Sequence, residues 1–164
     1  MNRPDVSIII VSWNTSDYLE RCLAAIPRAA AGLTIEIIVV DNGSTDGTQA
    51  MLAEHFPNVR VIQNSENVGF GRANNVGTRA GHGRIILLLN SDCELQSSAL
   101  AAMVSTLDGD PSLGAVFCRL LNPDGTLQPS VHSSFLSPWS TIGDLFFLSS
   151  LRYAVYRTPV LHRW

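Results

Sequence analysis

Residues 35–46 read Ile-Glu-Ile-Ile-Val-Val-Asp-Asn-Gly-Ser-Thr-Asp, and this stretch decides the fold. Ile35, Ile37, Ile38, Val39 and Val40 are apolar and β-branched, the composition of a strand covered on both faces, as in a parallel sheet. Asp41 then stands at the carboxyl end of that strand, where open α/β sheets bind their ligands. Asn42-Gly43 makes a tight turn, and Ser44, Thr45 or Asp46 can cap a following helix. Two readings of the acids stay open at this point. Asp41 can accept hydrogen bonds from a ribose or a base edge, or Asp41 and Asp46 can simply shape the turn and cap the helix.

Working outward, residues 6–11 (Val-Ser-Ile-Ile-Ile-Val) form a second buried strand ending in Ser12-Trp13-Asn14. Thr15 or Ser16 opens a helix with Asp17 and Glu20 in its first turn. Leu19, Cys22, Leu23 and Ile26 make its buried face, and Pro27 and Gly32 end it. The opening is therefore strand, helix, strand. After Asp46 a short helix runs to about His55, and residues 59–63 make a third strand. A polar loop, Asn64-Ser65-Glu66-Asn67-Val68-Gly69, leads into a helix to about Ala80. Residues 84–89 carry the most apolar strand and end in Asn90-Ser91-Asp92. Ser97 caps a last helix whose inner face is Leu100, Met103, Val104 and Leu107. Residues 115–121 are expected as a strand, returning through Asn122-Pro123-Asp124-Gly125 as a short hairpin. Strands alternating with helices give a three-layer α/β/α fold with a mainly parallel central sheet.

The chain has 164 residues, 46% hydrophobic and 15% charged, enough for one ordinary domain with a real core. A net charge of −3 argues against a nucleic-acid-binding surface. Cys22, Cys93 and Cys118 are unclustered; they suit a reducing compartment and form no metal motif. Residues 1–5 lead into a short strand rather than a long apolar core, so no signal peptide is expected, and no apolar run reaches membrane-spanning length. From His132 to Trp164 the alternation stops. Trp139, Ile142, Leu145, Phe146 and Phe147 are followed by Arg152, Arg157 and Arg163. This tail reads as a helix packing on a partner element, or as a surface touching lipid or a lipid-linked substrate.

Three strands thus place polar groups at their carboxyl ends, and the loop at 67–75 supplies a fourth set. In a parallel sheet they converge on one rim, a site for something polar with a ring to stack and a charge to bind. Gly69-Phe70-Gly71-Arg72-Ala73-Asn74 looks like a dinucleotide fingerprint, G-x-G-x-x-G. Against that, Asn74 replaces the third glycine, and the gap from Gln63 to Gly69 exceeds the tight turn the fingerprint needs.

Four motifs occur in order: Val-Ser-Ile-Ile-Ile-Val-Ser-Trp-Asn, Ile-Ile-Val-Val-Asp-Asn-Gly-Ser-Thr-Asp-Gly-Thr, Asn-Val-Gly-Phe-Gly-Arg-Ala-Asn-Asn-Val-Gly and Leu-Leu-Leu-Asn-Ser-Asp. Together they resemble the family 2 glycosyltransferases of the GT-A fold, in their rhamnosyltransferase-like branch. The resemblance covers residues 6 to about 130 well and the tail more weakly. It implies a nucleotide-sugar-binding part over 1–130, followed by a tail, 131–164, leading toward an acceptor-binding half. The fold is then expected to be incomplete on its C-terminal side, as in an amino-terminal fragment or truncated product.

The same resemblance assigns roles. Asp41 would accept a hydrogen bond from the base of a nucleotide sugar, with Ser12, Trp13 and Asn14 bordering base and ribose. Gly43 would belong to the turn beside it. Asn67, Gly69, Phe70 and Asn74 would line the donor pocket, where backbone N–H groups suit phosphate. Asn90 and Asp92 would stand in the family's D-x-D motif, here Asn90-Ser91-Asp92, with Asp92 holding Mg²⁺ or Mn²⁺ on the diphosphate. One carboxylate of that motif is missing, so metal affinity without the nucleotide should be weak; a helix-capping role near Ser97 is the other reading of Asp92.

The implied reaction is inverting transfer of a sugar, with rhamnose the best guess, from dTDP-rhamnose or a UDP-sugar to a saccharide or lipid-linked acceptor, in polysaccharide biosynthesis of the cell envelope. The implied location is cytoplasmic, with peripheral contact at the inner face of the membrane, and self-association is a further expectation. The base is not identifiable among Glu94, Asp108, Asp110, Asp124 and Asp144, so the chain alone is expected to bind nucleotide and turn over poorly. The competing class is a non-catalytic nucleotide-binding or protein-interaction module.

Overall fold

The computed structural model describes residues 3–128 of the chain. The aromatic and basic tail and its Asp144 lie outside the described residues. Eight elements alternate: β1 (Val6–Ser12), α1 (Ser16–Ala29), β2 (Ile35–Asp41), α2 (Thr48–His55), β3 (Arg60–Gln63), α3 (Phe70–Ala80), β4 (Ile85–Asn90) and α4 (Ala99–Gly109). The sheet is parallel, in the order β3-β2-β1-β4. β1 is central, and every one of its residues is buried.

The sheet carries helices on both faces, the three layers that the alternation predicts. On one face Ile8, Ile10 and Val39 pack with Leu19, Cys22, Leu23 and Ile26 of α1, Leu52 of α2, and Leu100 and Val104 of α4. On the other, Ile9, Val11, Ile38 and Val40 pack with Ala73 of α3. Adjacent residues of β1 and β2 therefore serve opposite layers, which is why both strands are nearly continuous apolar runs. α3 lies close on the sheet because Gly77 has no side chain: a Cβ there would stand 2.3 Å from Ile9 Cγ2 and 3.0 Å from Val40 Cγ2.

At the amino ends of the strands a polar lock joins β1, β2 and the turn before β4. Ser7 Oγ donates to Glu36 Oε1 at 2.5 Å, the Gly83 amide donates to Ser7 Oγ at 2.6 Å and to Glu36 Oε1 at 3.0 Å, and the His82 amide also donates to Glu36. Burial alone would raise the Glu36 carboxyl. These hydrogen bonds outweigh it and hold the group below the usual glutamate range.

The differences from the sequence expectations are local. Pro27 does not end α1 but sits in its last turn, where the lost N–H bond is only one; the helix runs to Ala29, and Gly32 (φ +84°) reverses the chain. The helix after β2 starts at Thr48, with Gly47 as cap residue, and α4 is preceded by Ser98 rather than Ser97. Residues 115–121 are not a strand: Leu121 alone bridges Leu127, antiparallel. A strand is defined by its ladder, and 115–120 find no ladder partner among the described residues. The hairpin turn itself forms, with the Asn122 amide bonded to Thr126 O and the Gly125 amide to Asn122 O. The chain divides into two compact units, Met1–Cys118 and Arg119–Trp164; all eight elements belong to the first.

Two stability measurements test this packing. Gly77→Ala should lower the unfolding free energy by about 1–3 kcal/mol in urea titrations, since the added methyl meets β1 with nowhere to go. Glu36 is depressed in the folded state, so its contribution is present above the ordinary glutamate pKa and is lost as pH falls through the lower folded value. Glu36→Gln should therefore be less stable at neutral pH, and its stability should fall less steeply below pH ~4.5.

Candidate functional site

Parallel pairing in matched register brings the strand ends to one level. Ser12 stands opposite Asp41, Val11 opposite Asn90, and Asp41 opposite Gln63. The loops that leave these ends enclose an open cavity of about 340 Å³. Trp13 and Thr15 line it from the β1–α1 loop, Asn42 from the end of β2, and Asn67 and Phe70 from the β3–α3 loop and the first residue of α3. Asn90, Ser91 and Asp92 close the β4 side over Val11.

The two aromatics are half exposed or more, Trp13 at 53% and Phe70 at 60%. Large apolar rings left in water at the mouth of a polar cavity are available to stack on a flat ligand. Between them lies an amide cluster. Asn42, fully buried, donates from Nδ2 to Asn67 Oδ1 (2.8 Å) and accepts at Oδ1 from Asn64 Nδ2 (3.0 Å) and from the Val68 amide (3.2 Å). Asn67 Oδ1 also takes the Gly69 amide at 2.9 Å. One buried side chain thus fixes the loop that presents Phe70 and the amino end of α3.

Of the eleven residues that the resemblance assigns, five line the cavity: Trp13, Asn67, Phe70, Asn90 and Asp92. The other six are not among its lining residues. Asp41 is fully buried, with Oδ1 accepting the Ser44 amide (3.0 Å) and Oδ2 accepting Gln49 Nε2 (3.0 Å); it shapes the turn and ties it to α2. Ser12 is also fully buried and bonded to Thr15. Asn14 adopts φ 53°, donates its amide to Ser44 Oγ (2.9 Å) and accepts the Thr45 amide at Oδ1 (2.8 Å), clasping the β1–α1 loop to the β2–α2 loop. Gly43 (φ +82°) lets the Glu66 backbone pass about 3 Å from where a Cβ would be. Gly69 is the residue before α3, and Asn74 turns its amide back to Phe70 O within α3. Four lining residues were given no individual role by the resemblance: Val11, Thr15, Asn42 and Ser91, of which Asn42 and Ser91 belong to the polar clusters expected at the rim. Strand parity carries the signal for Asn42, because it follows Val40 on the α3 side while Asp41 follows Val39 on the α2 side.

Asp46 completes the frame. Its Oδ2 accepts the Ser16 amide (2.9 Å) and its Oδ1 the Thr48 amide and hydroxyl, so one carboxylate serves the starts of both α1 and α2. Burial would raise this group, and the bonds from Thr48 and Ser16 more than offset that, holding it below the usual aspartate range. The dinucleotide alternative finds no support in this geometry. Residues 64–69 separate β3 from α3, and a Cβ on Gly71 would meet nothing within 4 Å, so no close approach requires that glycine.

Residues 7–161 match the family model for Glycosyl transferase family 2. The chain belongs to that family. A relative in Rhizobium meliloti, the succinoglycan biosynthesis protein ExoO, is 36% identical over 106 residues, which are 64% of this chain and 30% of that protein. The N-acetylglucosaminyl-diphospho-decaprenol L-rhamnosyltransferase of Mycobacterium tuberculosis is 28% identical over 134 residues, 75% of this chain and 43% of the relative. The chain therefore spans less than half the length of these two relatives. Among solved structures, the mannosyltransferase PcManGT from Pyrobaculum calidifontis, in complex with GDP-Man and Mn²⁺, superposes with a TM-score of 0.64 at 29% identity, covering 76% of this chain and 37% of that one. The GT-A architecture expected from the motifs is the one observed.

In this family 2 chain two thiols lie next to the cavity. Cys22 Sγ donates to Asn90 O, and Cys93 Sγ to Asp92 Oδ1. Burial, reinforced by Cys93 and the acids Asp92 and Glu94, pushes the Cys22 thiol up to about 12. It is protonated and inert at neutral pH. Iodoacetamide at pH 8 should label exposed Cys118 first and leave Cys22 unmodified until denaturant is added, as peptide mass mapping would show.

Proposed function

We propose that this chain forms the donor-binding part of a glycosyltransferase that takes a sugar from a nucleoside diphosphate. The observation that carries the reading is the cavity at the carboxyl rim. It combines two exposed aromatics, an amide cluster, the amino end of an 11-residue helix and a single carboxylate. Trp13 and Phe70 stack on the flat base. Asn42 and Asn67 offer amide edges to it. The free N–H groups at the start of α3 and the rim hydroxyls suit the diphosphate. Asp41, buried beneath, holds the turn and does not itself reach the ligand.

A divalent cation fits these residues only in company with the nucleotide. Asp92 is the one carboxylate lining the cavity, and among the described residues no three His, Cys, Asp or Glu side chains gather as a ligand set. Mg²⁺ and Mn²⁺ accept one or two carboxylates plus phosphate oxygens, so Asp92 with a diphosphate is a sufficient donor set. Such a cation neutralises the charge on the departing nucleoside diphosphate.

The reaction we infer is inverting transfer. An acceptor hydroxyl attacks the anomeric carbon from the face opposite the diphosphate, the bond to the phosphate oxygen breaks, and a carboxylate base takes the hydroxyl proton. None of the described acids past Asp92 lines the cavity. Asp108 pairs with Arg84 (2.5 and 3.0 Å), Asp110 caps Ser112, and Asp124 caps Thr126. The base we infer therefore lies outside the described residues. Transfer of rhamnose is favoured by the named activity of the mycobacterial relative; we take dTDP-rhamnose as its donor, with a GDP- or UDP-sugar as the competitor. A lipid-linked saccharide is the acceptor in keeping with the same relative's name, and we place the reaction at the cytoplasmic face of a membrane. No helix among the described residues is long and apolar enough to cross a membrane.

Calorimetry with dTDP, UDP and GDP, each with and without Mn²⁺, tests the reading. One of the three should bind, more tightly with the metal. Asp92→Ala should abolish that gain, and Trp13→Ala should weaken binding by about tenfold, the worth of one stacked base. If none of the three binds under either condition, the donor-site reading fails and a protein-interaction role takes its place.

A further inference from the structure

Thr15 is the first-choice residue type for a helix cap, and it stands at the cap position of α1, yet its side chain makes no cap hydrogen bond. Asp46, from another loop, takes the Ser16 amide instead. The Thr15 hydroxyl is spent elsewhere. Thr15 Oγ1 donates to Ser91 Oγ at 3.0 Å and lies 2.9 Å from Ser12 Oγ. A hydroxyl has one proton. If Thr15 gives its proton to Ser91, the bond between Ser12 and Thr15 must run from Ser12 to Thr15. The three hydroxyls then form a one-way series, starting at fully buried Ser12 at the end of β1 and finishing at Ser91 in the loop after β4. Ser91 lines the cavity beside Asp92, and its own O–H has no acceptor among the described residues.

Resting on the donor-site reading above, we propose that Thr15 is a positioning residue for the diphosphate. Through Ser91 it fixes the turn that carries Asp92 and leaves the Ser91 O–H aimed at a phosphate oxygen. The coupling spans two loops that no other described side-chain bond joins, since Asn14 and Asp46 tie the β1–α1 loop only to the β2–α2 side. The turn itself is held by one backbone bond, Cys93 N–H to Asn90 O at 3.1 Å. With the Thr15 hydroxyl gone, Asn90 stays anchored to β1 and Cys22, but Ser91 loses its side-chain tie to the β1–α1 loop. Donors that are already bonded on one side also polarise the next, so an anion at the end of the series gains a stronger hydrogen bond than an isolated serine gives.

Thr15→Val keeps the shape and deletes the hydroxyl; Thr15→Ser keeps the hydroxyl. Hydrogen exchange followed by mass spectrometry or NMR reads the Cys93 amide without any ligand. Thr15→Val should raise its exchange rate about three- to tenfold, the equivalent of one ordinary hydrogen bond, while Thr15→Ser exchanges as the parent chain does. Calorimetry with the nucleoside diphosphate that binds the parent chain, in Mn²⁺, should show a loss of the same size in Thr15→Val and in Ser91→Ala. Affinity for the corresponding nucleoside, which has no phosphates, should not change. Parent-like exchange of Cys93 in Thr15→Val overturns the coupling, as does an equal loss in Thr15→Ser. Unchanged diphosphate affinity in Ser91→Ala overturns the phosphate contact. If Thr15→Val fails to fold, Ser91→Ala decides both points, because it removes the other end of the same bond. A parent chain that binds none of dTDP, UDP and GDP sinks the donor-site reading and the phosphate contact with it, and the exchange measurement still decides whether Thr15 holds the turn.

Discussion

The structure depends on β1 being buried on every side. Helices cover its two faces, and β2 and β4 cover its two edges, in register from Val6 to the rim. Burial of Ile8, Ile9 and Ile10 alone removes three large side chains from water, each worth about 1.5–3 kcal/mol. The more consequential effect is geometric. A strand flanked in parallel on both edges cannot slip by one residue without exchanging the α1 layer for the α3 layer. Register is thereby locked, and so is the relative height of Ser12, Asp41 and Asn90. The cavity is the product of that lock: loops that leave aligned strands arrive at a common mouth.

Most of the fold was legible because the strands are short apolar runs ending in polar clusters, and α1 in particular has a clear inner face. Chain punctuation was harder. Pro27 carries the usual stop signal, but its effect in a last turn is small, and the chain reversal falls to Gly32. The strand expected at 115–121 shows the opposite error. Its composition suits a strand, but composition cannot supply a neighbour to pair with.

The site was legible at the level of segments and less so at the level of atoms. All four motifs contribute to the cavity, and in each the residue named most readily is not always the one that faces inward. Asp41 drew the eye because it ends a strand at the rim where such sheets bind ligands, while each of its oxygens accepts one bond that braces the turn and α2. Asn42, one position on, faces the cavity; strand parity puts it on the α3 side, but which side the ligand uses is not written in the strand alone. Thr15 or Ser16 was expected to cap α1 because these residue types normally do; the structure gives the Ser16 amide to an aspartate thirty residues away in sequence. Such exchanges between loops are invisible to any window that slides along the chain.

The order of strands has a consequence for how the molecule is made. β1 is made before both of its partners, and one of its edges stays open until β4 has been synthesised, because Val6 pairs with both Ile35 and Ile85. One edge of the fully buried central strand thus stays unpaired until β4 is made, a non-local pairing of the kind that slows folding. The same segment that sets the height of the rim is therefore the one whose closure is delayed longest.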